Sequence, residues 1–127
     1  MAVVSVSLSD ENIAALDEIR KVYSLAGRSE AVRLSIKEAE SKVKEIEELD
    51  GFVEGVLIIV RRDHSDPWMN TIQAKHQSDV KTQMHSHLLN NKCLEVMVVS
   101  AEAERVKELL RAINAEAKAD YVKFVRS

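Results

Sequence analysis

Residues 80–100 read VKTQMHSHLLNNKCLEVMVVS, two strand-like runs joined by Asn90-Asn91-Lys92. In the first run Val80, Thr82, Met84, Ser86 and Leu88 share one face, and Lys81, Gln83, His85 and His87 share the other, because successive side chains of a strand point to opposite sides. Asparagine tolerates the left-handed backbone of a tight turn, so Asn90-Asn91-Lys92 is a hairpin signal. The second run, Cys93–Ser100 (CLEVMVVS), is β-branched and apolar. The turn returns Cys93 alongside His87 to within about one residue of register, the uncertainty inherent in pairing strands across a turn.

Working outward, Phe52–Arg62 (FVEGVLIIVRR) is apolar enough for a strand buried on both faces. Asp66-Pro67 opens a helix, with proline at an early position, that runs through Trp68, Met69 and Ile72 to about Lys75. After the hairpin, Ala101–Glu116 carries the helical stripe Val106, Leu109, Leu110 and Ile113, and Ala119–Val125, with Tyr121 and Phe124, reads as a last strand. The order is β-α-β-β-α-β, a ferredoxin-like sandwich over residues 51–127.

Residues 1–50 follow a different grammar. Val4, Val6 and Leu8 alternate with Val3, Ser5 and Ser7 in a short strand. Ser9 caps a helix with Asp10 and Glu11 in its first turn and a stripe of Ile13, Leu16, Ile19 and Val22. Gly27 breaks it, and Ser29 is placed to cap a second helix using Ala31, Val32, Ile36, Ala39 and Val43. This β-α-α unit cannot pair its lone strand internally, so pairing with the same strand of a second chain is implied. The whole is an α+β chain of two small domains.

Composition narrows the function. Residues 1–50 hold seven Lys/Arg against eleven Asp/Glu, and the full chain has a net charge of −3, so nucleic-acid binding would need a local surface. No apolar run approaches the roughly 20 residues that cross a bilayer, and the start lacks a signal-peptide pattern, which suggests a cytoplasmic protein without membrane contact. Gly27, Gly51 and Gly55 form no phosphate-binding loop. No general base other than Glu95 accompanies the histidines, so an enzyme is not expected.

The chemistry gathers in His76, His85-x-His87, Cys93 and Glu95. His85 and His87, two apart in a strand, present imidazoles to one side, and the turn brings the Cys93 thiol beside them. Two imidazoles and a thiolate make a soft site suited to nickel, copper, zinc or cobalt and poorly suited to magnesium or calcium. Glu95 shares the face of Cys93 and is placed to orient a ligating imidazole. His64, beside Asp63, reads as a solvated loop residue.

VVSVSLSDENIAALDEI (3–19), GRSEAVR (27–33), Gly51-Phe52 and HSHLLNNKCLEVMVV (85–99) together resemble the nickel-responsive repressors of the ribbon-helix-helix superfamily along nearly the whole chain. The His-x-His-x5-Cys-Leu-Glu signature is specific; GRSEAVR is shared more widely. The resemblance implies an N-terminal ribbon-helix-helix (1–50) and a C-terminal ACT-type domain (51–127). It also implies tetramers with DNA-binding dimers at each end, and nickel held by three ligands of one chain and a histidine of a neighbour. His85, His87 and Cys93 match the three same-chain ligands, and Glu95 matches the acidic residue after the cysteine. Val3, Ser5 and Ser7 occupy the base-reading face of the ribbon; Arg28, Ser29 and Arg33 fall where the second helix begins against the phosphates of double-stranded DNA.

Two positions depart from the pattern. The first base-reading residue is commonly arginine and is Val3 here, which removes a donor fork for guanine. The fourth histidine position falls on Ala74, with His76 the nearest histidine, which would reach a metal from a neighbouring chain. The leading expectation is a metal-dependent, most simply nickel-dependent, transcriptional regulator. The alternative is a protein binding or sensing copper, zinc or cobalt whose N-terminal segment serves dimerisation.

Overall fold

A computed structural model describes residues 1–62 and 66–127; His64 lies outside the described residues. The chain divides into two compact units, Met1–Glu45 and Ile46–Ser127.

In the first unit α1 spans Asp10–Val22 and α2 begins at Arg28, running to Glu47. Ser9 caps α1 as its sequence position suggests: its Oγ accepts the Asn12 N–H at 3.1 Å, one of the orphan donors of a helix start. Asp10 and Glu11 lie at the positive end of the helix, and Arg20 and Lys21 at the negative end. The helix stops where Ser24 turns left-handed, at φ 53°. Neither helix buries much: α1 has no buried residue and α2 only Ala31. Met1–Ser9 forms no strand within the single chain. A strand is defined by its hydrogen-bonded neighbour, and the neighbour expected for Val3–Leu8 is the same segment of a second chain.

The second unit contains β1 (Phe52–Arg61), α3 (Trp68–Lys75), a 3₁₀ turn (Gln77–Asp79), β2 (Val80–His87), β3 (Cys93–Glu102), α4 (Ala103–Glu116) and β4 (Ala119–Arg126). The sheet order is β2-β3-β1-β4 with every neighbouring pair antiparallel, the ferredoxin-like arrangement expected from the element order. Val53, Leu57 and Ile59 of β1 and Met97 and Val99 of β3 are buried against Met69 of α3 and Val106, Leu109 and Ile113 of α4. Leu49 joins this core, and Ile46 packs against it. Burial of each such side chain is worth roughly 1.5–3 kcal/mol.

The strand at 52–61 departs from its sequence reading in one respect. Only the helix-facing phase is buried in the single chain; Val56, Ile58 and Val60 on the opposite face are half-buried, as are Leu94 and Val96 of β3. Both helices of this unit cover one face, so the other keeps an apolar surface open.

Gly55 sits where β1 meets β4. A Cβ there would lie 2.5 Å from the Val125 carbonyl oxygen and 2.6 Å from Phe124 Cζ. Phe124 packs against the core and β4 is an edge strand, so backbone and ring would both have to shift. Gly55→Ala is expected to lower stability by about 1–3 kcal/mol, as overpacking does. A urea midpoint at or above wild type would contradict this packing.

Candidate metal centre

β2 is an edge strand, and its register against β3 builds the site. His87 lies opposite Cys93, and His85 opposite Glu95. Cys93 and Glu95 belong to the same phase of β3 as Met97, Val99 and Ala101, so the packing of the core turns both toward the helices. Cys93 is 0% and Glu95 2% exposed, while His85 and His87 stand at the accessible edge. His85 Nε2 is in direct contact with Cys93 Sγ. Donor atoms of His85, Cys93 and Glu95 all lie within 4.8 Å of one another, the one such three-residue group among the described residues. The His87 ring stands beside that of His85, with centroids 5.2 Å apart and planes tilted by 48°.

The thiol is electrostatically restrained. Burial pushes Cys93 up from its ordinary value, and the Glu95 carboxylate adds to this; the Arg61 guanidinium opposes both. A cation that displaces the thiol proton would relieve the first two influences together.

Arg61 and Gln73 were not among the residues singled out from the sequence. Arg61 Nη2 donates to Glu95 Oε1 at 2.9 Å, and Gln73 Nε2 donates to Glu95 Oε2 at 3.5 Å. The signal for Arg61 was available, since it is a charged residue in the buried phase of an apolar strand, directly opposite Cys93.

His76 is not brought to this group. It ends α3 with its N–H on the Gln73 carbonyl, is 1% exposed, and its Nδ1 lies 2.9 Å from Asp79 Oδ2. Arg105 of α4 donates to the same Asp79 oxygen at 3.1 Å and to the Lys75 carbonyl at 2.9 Å. Burial alone would raise the Asp79 carboxyl, but hydrogen bonds from His76 and Arg105 outweigh it and hold it below the ordinary value. Ala74, two residues before His76, is exposed.

In the first unit Val3, Ser5 and Ser7 are exposed on the extended N-terminal segment, and Ser29 is exposed in the first turn of α2. Arg28 grips Asp17 with both arms, at 2.9 and 3.0 Å, and Arg33 donates to Glu30 at 2.8 Å. The two arginine side chains remain about three-fifths exposed, at 61% and 60%.

Residues 55–127 match the family described as the NikR C-terminal nickel-binding domain. A provisionally named nickel-responsive regulator of Methanococcus maripaludis is 32% identical over 123 residues, covering 94% of this chain and 87% of the relative. One of Methanocaldococcus jannaschii is 30% identical over 115 residues, covering 88% and 82%. The chain belongs to the nickel-responsive regulator family. A third such relative, from Methanosarcina acetivorans, is 29% identical over 116 residues. The residues present fit the group that the family's domain name implies, since the cluster offers an imidazole nitrogen and a thiol sulfur in contact at an open sheet edge.

The His76–Asp79–Arg105 network has its own consequence. A carboxylate held below its ordinary value stabilises the fold fully above the unfolded value of 3.8 and loses that contribution as pH falls through the folded value. Asp79→Asn is therefore expected to cost on the order of 2 kcal/mol at pH 7, as losing one member of a buried charged hydrogen-bond set does. The gap to wild type should close in acid. A pH-independent gap in denaturation midpoints would show that Asp79 acts by shape alone.

Proposed function

We propose that the chain is a nickel-responsive transcriptional regulator that binds double-stranded DNA through its first 50 residues and nickel through the β2–β3 edge. The observation that carries this reading is the convergence of His85, Cys93 and Glu95 inside the segment matched to a nickel-binding domain. His85, His87 and Cys93 are the proposed ligands of one chain, on neighbouring strands with His87 opposite Cys93. Nickel, when bound, supplies a divalent charge that the thiolate and imidazoles share. Glu95 supports the site from its buried place behind Cys93. The placement of His76 counts against it as a fourth ligand, because it would have to leave Asp79 and the interior to reach a metal on a neighbouring chain. A second chain or solvent then completes the coordination.

The same reading gives the N-terminal segment its partner. Val4 and Val6 are 79% and 74% exposed, which suits a strand that pairs with its counterpart in a dimer and leaves Val3, Ser5 and Ser7 on the outer face. A two-stranded ribbon fits the major groove. The start of α2 offers Ser29, Arg28 and Arg33 to phosphates. Surface ion pairs are worth at most about 1 kcal/mol, so Asp17 and Glu30 yield the arginines to phosphate at little cost. The open apolar face of the C-terminal sheet is the proposed surface for assembly into a tetramer of ACT-type domains. Among the described residues no helix is long and apolar enough to cross a membrane, in keeping with a proposed place in the cytoplasm.

A second reading is favoured by Val3 and by the carboxylates already on Arg28 and Arg33. In it the chain binds nickel, copper, zinc or cobalt, and the N-terminal unit only dimerises. A gel shift on an operator-like duplex, with and without nickel, separates the two: a nickel-dependent shift supports the regulator.

Cys93→Ala is expected to abolish the sulfur-to-nickel charge-transfer band while leaving dimerisation intact. The band is read by ultraviolet-visible titration, and its survival would make the thiol simple packing.

Arg33→Ala is expected to weaken binding to all DNA sequences alike and to flatten the salt dependence by about one unit, as loss of one phosphate contact does. Unchanged affinity and slope at several ionic strengths would remove α2 from the DNA face.

A further inference from the structure

The buried phase of β1 ends on a charge. Val53, Leu57 and Ile59 face the helices, and Arg61 continues the same phase opposite Cys93 with its side chain 6% exposed. An enclosed guanidinium is costly unless well partnered, so its partners show what it serves. Nη2 reaches Glu95 Oε1 at 2.9 Å, and the group lies 6.0 Å from the centre of the Trp68 ring. Among the described residues Nε has no hydrogen-bond partner. As a structural device the pair is poor, since it leaves a buried donor unsatisfied where two apolar side chains would pack without penalty.

Glu95 is pulled two ways. One of its oxygens lies within 4.8 Å of the donor atoms of His85 and Cys93, close enough to join them around an ion. Yet Oε1 is held by Arg61 and Oε2 faces Gln73, so both oxygens are engaged inside the chain. A carboxylate at the metal would bring a hard oxygen donor and a further negative charge to a site that otherwise offers imidazole and thiolate.

We propose that Arg61 is a specificity-determining positioning residue: it withholds the Glu95 carboxylate from the metal, so that the ion meets nitrogen and sulfur donors alone. The inference rests on the metal site proposed above. Without the guanidinium, Glu95 carries an unpaired buried charge beside a cation and turns to it. The site then becomes harder and more anionic, and its preference moves from nickel(II) toward cobalt(II).

The experiment uses the full chain as wild type, R61M, E95Q and the double variant R61M/E95Q. Each is titrated separately with nickel(II) and cobalt(II), with absorption spectra and competition affinities recorded and folding checked by circular dichroism. The double variant removes both buried charges and is expected to fold. E95Q keeps an acceptor for Arg61 but leaves its charge unbalanced, at a substantial cost in stability, and where E95Q does not fold the double variant alone serves as the comparison. In wild type, E95Q and the double variant the positions of the ligand-field and charge-transfer bands, which report the donor set and not the affinity, should coincide. In R61M they should shift, with the nickel-to-cobalt affinity ratio falling roughly tenfold, as a change from soft to harder donors implies. Should R61M fail to fold, R61Q, whose neutral amide fills the same space without balancing the Glu95 charge, takes its place with the same expectation. Unshifted bands and ratio in the Arg61 variant would overturn the inference while a Cys93-dependent band in wild type leaves the metal site standing. Shifted bands in E95Q would also overturn it, because Glu95 would then ligate with Arg61 in place. A wild type that binds neither ion would overturn the site and this inference with it.

Discussion

Everything chemical in the C-terminal unit depends on the register between β2 and β3. Met97, Val99 and Ala101 must face α3 and α4 to fill the core, and the two-residue period of the strand then carries Cys93 and Glu95 to the same side. A slip of one residue would send β2's His85 and His87 to the face that carries Met84 and Ser86. The turn holds the register in place: Asn90 and Asn91 are both left-handed, at φ 61° and 57°, and the Leu88 N–H donates to the Lys92 carbonyl at 2.8 Å. The hydrophobic core therefore positions Cys93, which it buries, and through the register the histidines opposite, which lie outside it.

Two buried polar networks then fix α3. Gln73 reaches back to Glu95 on the sheet, and the C-terminal end of the helix is tied through the Lys75 carbonyl and Asp79 to Arg105 of α4. His76 sits in the second network and Cys93 beside the first. The Asp79 network is engaged at several points, whereas the Glu95 network leaves Arg61 Nε without a partner among the described residues, and a partly satisfied set of buried charges costs more than an apolar filling. The helix is thus tied to β3 through Gln73 and to α4 at its C-terminal end.

Much of this was legible in the sequence, for reasons that can be named. His85, His87 and Cys93 could be placed together because the strand period and the asparagine turn are local rules. Ser9 could be read as a cap because capping spans three residues. The Arg61–Glu95 pair was less legible, since its partners are 34 residues apart and meet only through the pairing of β1 with β3. His76 was singled out because it is the histidine nearest to the position that the resemblance assigns to a neighbouring chain's ligand; within the single chain the 3₁₀ turn at 77–79 folds Asp79 back onto it, a contact that no local rule announces. The two-sided burial expected of β1 holds on one side within a single chain, and a lone sequence does not say which burial is left to a partner.

In the proposed function, metal bound at the β2–β3 edge has to change what the N-terminal unit does. β2 is an outer strand, so the proposed ligands on it lie where a second chain can approach without disturbing the core. In the proposed assembly, a metal that draws a donor from that chain favours one placement of the two C-terminal units over others. Only this difference in affinity between placements can shift the proposed DNA-binding units, because a ligand bound equally well in both states shifts nothing. The coupling must also run in reverse: DNA that selects the same placement tightens metal binding by the same factor. The linkage therefore sits at the donor that completes the coordination, since His85 and Cys93 already meet within one chain and gain nothing from rearranging a second.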